Sequence, residues 1–192
     1  MPVFVWTKIG TETGETIADI IDRKERERSK GGVFWWGIGT SLGPAVRDEA
    51  LKTGGSIPII FCEMLGTPQS HDVSPTSKVR WTRWRDWDGS EADIPTFVLV
   101  KSRGEDRRGR RKEKHYAVVC RPDNELRLNP NGQLFDPRNC QTLGGKTPGD
   151  SQNTALLRGD VARSHPSGRY RIALAAMLVR PWQATLLDPI RV

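Results

Sequence analysis

Apolar residues recur along this chain in two rhythms. Val3-Phe4-Val5-Trp6-Thr7-Lys8 is a β-branched and aromatic run, which predicts a strand. Ile17, Ile20 and Ile21 then fall at i, i+3 and i+4. That spacing predicts a helix, opened at Thr13-Gly14, with its apolar stripe on one side. Its second half, RKERERSK, reads as a solvated charged face, and Gly31-Gly32 stop it where a left-handed cap is needed. VFWW at 33–36 predicts the next strand. A glycine-rich turn follows, and Pro44 suits the first turn of a short helix ending near Lys52.

From there the pattern becomes β. Buried or half-buried strands are expected at 56–65, 79–87, 95–102 and 115–121. A basic loop alone separates the last two, so a hairpin is the expected connection. Residues 122–153 are rich in Pro, Asn, Gly and Asp and lack periodicity, which predicts a long irregular excursion. In the tail, RYRIALAAMLV has alanines that suit a helix. The Arg180-Pro181 break and the second apolar run favour strands. Two early helices before mainly antiparallel strands predict an α+β fold: a curved antiparallel sheet or small β-barrel with two or three helices packed on it. The length of 192 residues fits one domain, 1–192, carrying the basic hairpin and the excursion as insertions at about 101–153.

Composition narrows the partners. A net charge of +7 points toward a polyanion. Much of it lies in Lys101–Lys114, KSRGEDRRGRRKEK, where Arg107, Arg108, Arg110, Arg111 and Lys112 crowd one tip. Such a finger suits phosphates or a groove, and the bland reading is a solvated loop. Three scattered cysteines, Cys62, Cys120 and Cys140, argue for a reducing compartment and against a disulfide framework or zinc site. No apolar run reaches the ~18 residues of a membrane span, so no membrane partner is expected and the cytoplasm is the expected compartment.

Two further stretches carry candidate chemistry. In Arg80-Trp81-Thr82-Arg83-Trp84-Arg85-Asp86-Trp87, strand alternation puts Trp81, Arg83, Arg85 and Trp87 on one face and the rest on the other. Interleaved indoles and guanidiniums suit base stacking beside backbone neutralisation, or a cation–π ladder within the sheet. In GGVFWWGIGTSLGP, the indoles of Trp35 and Trp36 meet Gly37, Gly39, Thr40 and Ser41 without a spacer. One reading is an aromatic wall above a floor of N–H groups, shaped for a planar ring. The other is a strand that ends in a glycine turn, with a helix N-cap at Thr40 or Ser41. Three histidines without ligand spacing predict no metal site, and no cofactor motif is present. His71-Asp72 could form an acid–base pair, and Cys62 reads as a core thiol.

The order of these pieces resembles the EVE-like branch of the PUA superfamily, which is related to YTH domains. The resemblance rests on Val3–Lys8, the helix from Thr16 to Lys30, the turn Trp36-Gly37-Ile38-Gly39-Thr40, the segments 44–52 and 55–64, and the tail from Arg171 to Leu186 with its Arg-Pro break. It covers roughly residues 1–65 and 169–190, and Thr40 stands where the family has Asn. It implies a small barrel whose aromatic cage takes a flipped, usually modified base of DNA or RNA, with cutting left to a fused or partner nuclease in antiviral defence. On that reading Trp6, Lys8, Trp35, Trp36, Gly37, Gly39, Thr40 and Ser41 form the base pocket. Arg80, Trp81, Arg83, Trp84 and Arg85, with the arginine finger, contact the nucleic acid, DNA ahead of RNA.

A second, local resemblance is to the uracil-DNA glycosylase superfamily, through Ser164-His165-Pro166-Ser167-Gly168-Arg169. It implies excision of a modified base through the same pocket, with Asp48, Glu63 and His165 as catalytic candidates. Glu49 and Asp72 are further carboxylate sources.

Overall fold

In the computed structural model, residues 1–10, 15–66, 78–103, 114–150, 152–163 and 168–191 are described. The first five elements are strand β1 (Val3–Lys8), helix α1 (Ile17–Gly31), strand β2 (Phe34–Ile38), helix α2 (Ala45–Lys52) and strand β3 (Ile57–Met64). Helix α1 starts where a capping box allows it. Thr16 accepts from the Asp19 N–H, and Asp19 accepts from the Thr16 N–H. It stops at Gly32, whose φ of 76° lets its N–H reach the Arg28 carbonyl. The opening expected at Thr13-Gly14 lies outside the described residues.

Later strands are β4 (Lys78–Arg85), β5 (Glu91–Asp93), β6 (Lys101–Arg103), β7 (His115–Arg121), β8 (Leu134–Phe135), β9 (Gln141–Thr142), β10 (Thr154–Arg158) and β11 (Tyr170–Arg191). Among the described residues all eleven strands join one open sheet, ordered β2-β7-β11-β3-β1-β10-β9, with β4 and β8 added on β11 and β5 and β6 on β4. The architecture is α+β, and the sheet is mixed rather than antiparallel throughout. β1 and β3 run parallel, Lys8 opposite Cys62, because the α1–β2–α2 crossover returns the chain in the same direction.

The tail is one bent strand rather than a helix or two strands. Its pairing with β7 shifts register between Leu178 and Gln183, where 179–182 pass the single residue Val119. Trp182 there takes φ 59°, and its indole donates to the Gly55 carbonyl at 2.8 Å. The two strands flanking the basic segment do not form a hairpin: β6 pairs with β4, and β7 pairs with β2 and β11. Nor is 95–102 one continuous strand. Val98 and Val100 are buried, but the backbone of Leu99 is clasped by helix α1 and not by a neighbouring strand. The excursion 122–150 is irregular apart from β8, β9 and a 3-10 turn at Pro137–Asn139.

Among the described residues, buried apolar side chains divide into three clusters. The central one joins Ile17, Ile20 and Ile21 of α1 and Val46 and Ala50 of α2 to the sheet through Val5, Trp36, Phe61 and Leu178. A second joins Phe4, Trp6, Cys62 and Tyr170 to Phe135 and Cys140 of the excursion. A third gathers Trp35, Trp81, Val98, Val100, Val119 and Leu186. Adjacent strand residues point to opposite faces, which is why Trp35 and Trp36 enter different clusters.

One charged stretch is not solvated as its composition suggests. Glu27 is fully buried and Lys24 nearly so. Lys24 Nζ donates to both Glu27 oxygens, at 2.9 and 3.1 Å, and to the Leu99 carbonyl at 3.1 Å. Glu27 also accepts from the backbone N–H groups of Trp35 and Leu99, at 3.1 and 3.0 Å. Every lone-pair direction of the carboxylate is therefore engaged, as a buried charge requires. Among the described residues, no helix is long and apolar enough to cross a membrane.

Candidate functional site

The residues expected to share one pocket fall in different places, and in two of these polar groups meet aromatic rings. Trp6, Trp35 and Trp36 are 1%, 5% and 8% exposed and lie in the second, third and central clusters respectively. They do not line a common slot. Each has a ring partner: Trp6 meets Tyr170 edge-on at 5.4 Å, Trp35 meets Trp84 at 5.4 Å, and Trp36 meets Phe61 at 4.7 Å. Long apolar side chains in a period-2 strand are drawn into whichever core faces them.

The first place is the turn after β2. Gly37, Gly39, Thr40 and Ser41 are all exposed there. The turn is shaped from β11 and not by a helix cap. The buried Gln183 accepts from the Leu42 N–H at 2.6 Å, and its amide donates to Ser41 Oγ at 2.9 Å. Ser41 Oγ also accepts from the Gly43 N–H at 3.0 Å. Pro44, not Thr40 or Ser41, is the N-cap of α2, and it makes no side-chain cap bond.

Next to this turn stands an aromatic residue that alternation had assigned to the β4 ladder. Trp87 lies just beyond β4, half-buried, and packs with Leu42 and Ala45 on the rim of the central cluster. Its Nε1–H donates to the Pro181 carbonyl at 2.8 Å. The Arg47 guanidinium covers its face, 5.3 Å from the ring centroid. The buried Nε of Arg47 has no hydrogen-bond partner. Asp48, one of the catalytic candidates, is exposed on the same helix, 3.5 Å from Arg47.

The second place is the corner where β1 ends and β11 begins. Lys8 Nζ stands 5.8 Å from the Trp6 ring and 5.6 Å from the Tyr170 ring, and donates to the Asp150 carbonyl at 3.2 Å. Arg169 lies 5.9 Å from the same Tyr170 ring and binds the Asp150 carboxylate at 2.8 Å. Burial, then the nearby Arg169 charge, lowers the Lys8 pKa, while Asp150 works the other way. Burial raises the Tyr170 phenol above its ordinary value. Glu63, the other described catalytic candidate, is ion-paired with Arg171 on the neighbouring strand.

The tryptophan–arginine ladder is largely engaged within the fold. Arg83 contacts Glu91, Asp93 and Asp188, and Arg85 contacts Glu91. Arg80 donates to the Thr96 carbonyl. Trp81 lies against His115 at 4.9 Å, and both Trp81 and Trp84 feed the third cluster instead of opposite faces. The partner strand is distorted opposite Thr82, where Asp188 takes φ 53° and its carbonyl accepts the Thr82 hydroxyl. Arg107, Arg108, Arg110, Arg111, Lys112, His71-Asp72 and His165 lie outside the described residues.

Sequence reasoning passed over Trp87, Arg47, Gln183 and Asp150 as site residues. Gln183 carried a signal, as a polar residue within the apolar run PWQATLL. Trp87 carried a weaker one in the turn residues Asp88-Gly89 that follow it, which end a strand. Among the described residues, no group of three or more His, Cys, Asp or Glu is placed to hold a metal ion. Comparison with protein-family models, curated proteins and solved structures gave no match.

Proposed function

We propose that this domain binds nucleic acid, DNA in preference to RNA, and receives an extruded, modified base at the turn that follows β2. The carrying observation is the Arg47 guanidinium lying on the half-buried face of Trp87 beside the Gln183-braced turn. A guanidinium on an indole marks a face that a planar ring can share or take over. The exposed Gly37 and Gly39 leave room for close approach, and Thr40 supplies a hydroxyl at the edge. This is the position at which the EVE-like resemblance places its base, with Trp87 serving as the wall in place of Trp35 and Trp36. Base extrusion costs a few kcal/mol. Stacking at about 1–3 kcal/mol per base, together with phosphate contacts from the basic segment, offsets that cost. Cleavage, on this reading, is left to a partner nuclease in defence against foreign DNA.

Binding of fluorescent oligonucleotides with and without base modifications, as single strands, duplexes and RNA, tests the reading. Tighter binding of one modified DNA is expected, weakened by Trp87→Ala. The log–log salt slope should be roughly −5 if five or six phosphates are contacted. Equal affinity for modified and unmodified strands would reduce the reading to backbone binding. Alkali-labile breaks after incubation would turn it toward base excision.

A further inference from the structure

The corner at the end of β1 holds more hydrogen-bond donors than acceptors, and the surplus is partly buried. Lys8 Nζ carries three donors, and the Asp150 carbonyl takes one. Arg169 carries five, of which a terminal N–H goes to the Asp150 carboxylate. Its Nε–H is buried without an acceptor. The Trp6 Nε1–H, beneath Lys8, is buried as well and is turned to the weakly accepting Cys62 thiol. Buried donors in folded proteins are nearly always satisfied, so the unpartnered Arg169 Nε–H, beside the spare Lys8 donors, marks a place for an acceptor from outside the chain.

The charges say what kind of acceptor. Lys8 and Arg169 both lie against one phenol ring, at 5.6 and 5.9 Å from its centroid, and both bind Asp150. Two cations against one carboxylate leave a local positive excess, which an anion with several oxygens relieves. The nearby Arg138 does not add to it, because it is committed to Asp136. Asp150 restrains both cations, through its carbonyl for Lys8 and its carboxylate for Arg169.

We propose that this corner is a phosphate-binding site, in which Lys8 and Arg169 together hold one phosphate group. It lies in the second cluster, on the β1 face opposite the helices, so it is separate from the turn after β2. Lys8 supplies a point charge and Arg169 a directed N–H pair. The source of the phosphate is either a free or terminal phosphate or an internal phosphodiester.

Titration with inorganic phosphate, followed by the seven tryptophan indole N–H resonances, tests the site. A saturable shift of the Trp6 indole signal is expected, with sulfate as the comparison anion. Lys8→Gln and Arg169→Gln should each weaken binding at least about tenfold, a loss of about 1.4 kcal/mol. Arg169→Lys keeps the charge but removes the Nε–H and should weaken binding as well. Arg158→Gln, which removes an exposed charge at the end of β10 opposite Val3, at the other end of β1, should change it less than twofold. A response to a short oligonucleotide but not to inorganic phosphate identifies an internal phosphodiester. A response to both identifies a terminal group. No saturable response to either, or an equal loss in Arg158→Gln, overturns the proposal. The base slot fails separately, through Trp87 and modification preference, so the two readings are distinguishable.

Discussion

Glu27 Oε2 accepts the backbone N–H of Trp35 at 3.1 Å, tying the middle of α1 to the strand at one end of the sheet. The other oxygen accepts the Leu99 N–H at 3.0 Å, so one buried carboxylate spans two backbone segments that no strand joins. Breaking a buried pair from one side leaves an uncompensated charge. Glu27→Gln and Lys24→Met should each cost about 3–5 kcal/mol, measured by urea denaturation. The double variant should lose clearly less than the sum. Strict additivity would show that the pair does not act as a unit.

Gln183 braces the 41–43 turn through two hydrogen bonds. Replacing it with Leu leaves the Leu42 N–H without its acceptor, at a cost of about 1–3 kcal/mol. Hydrogen exchange at the Leu42 amide should accelerate in this variant while exchange in β3 and β7 stays slow. Unchanged protection at Leu42 would show that the turn holds itself.

Two tryptophans should separate stability from binding. Trp36→Ala removes a buried ring from the central cluster and should destabilise by about 3–5 kcal/mol. Trp87→Ala, at the rim, should cost less stability and more affinity, at about 1–3 kcal/mol per stacked base. Thermal melting paired with anisotropy titration measures both. The reverse ranking in affinity, with Trp36→Ala well folded, would move the slot away from Trp87.

Alkali should destabilise the fold. Cys62, Cys120 and Cys140 are free and buried, and burial pushes each thiol above its ordinary value. A raised folded-state pKa gives stability that is fully present below the unfolded thiol value, about 8.5, and lost as pH rises above it. Lys24 works in the opposite direction. Its pKa is lowered to about 8 by burial, which outweighs Glu27, so its deprotonation adds stability between about pH 8 and the ordinary lysine value of about 10.4. Three thiols against one amine should give a melting temperature that falls from pH 8.5 to 9.5. The Cys62→Ala, Cys120→Ala double variant should flatten that fall. A rising wild-type melting temperature would mean that Lys24 dominates.

Much of the local structure was legible in the residues. Ile17, Ile20 and Ile21 marked the buried stripe of α1, Gly32 its stop, and Arg180-Pro181 the bend in the tail. Two contextual errors share one cause. RKERERSK looked solvated and PTFVLVKS looked like a strand, yet Lys24 and Glu27 turn inward to occupy the Leu99 backbone. A charged helix face and an extended segment each read correctly in isolation, and their meeting removed both from their expected roles.

The sequence by itself determined that β1, α1, β2, α2, β3, β4 and β7 form, that indoles and glycines adjoin after β2, and that the chain is strongly basic. These follow from local propensity, periodicity and charge, which need only near neighbours. Tertiary structure decided which face of the mixed sheet each indole met. It divided Trp6, Trp35 and Trp36 among three cores and left Trp87 at the rim beneath Arg47. It also set Lys8 beside Arg169, 161 positions later in the chain. Those outcomes depend on register between distant strands, and a strand's period of two turns every register choice into a choice of face.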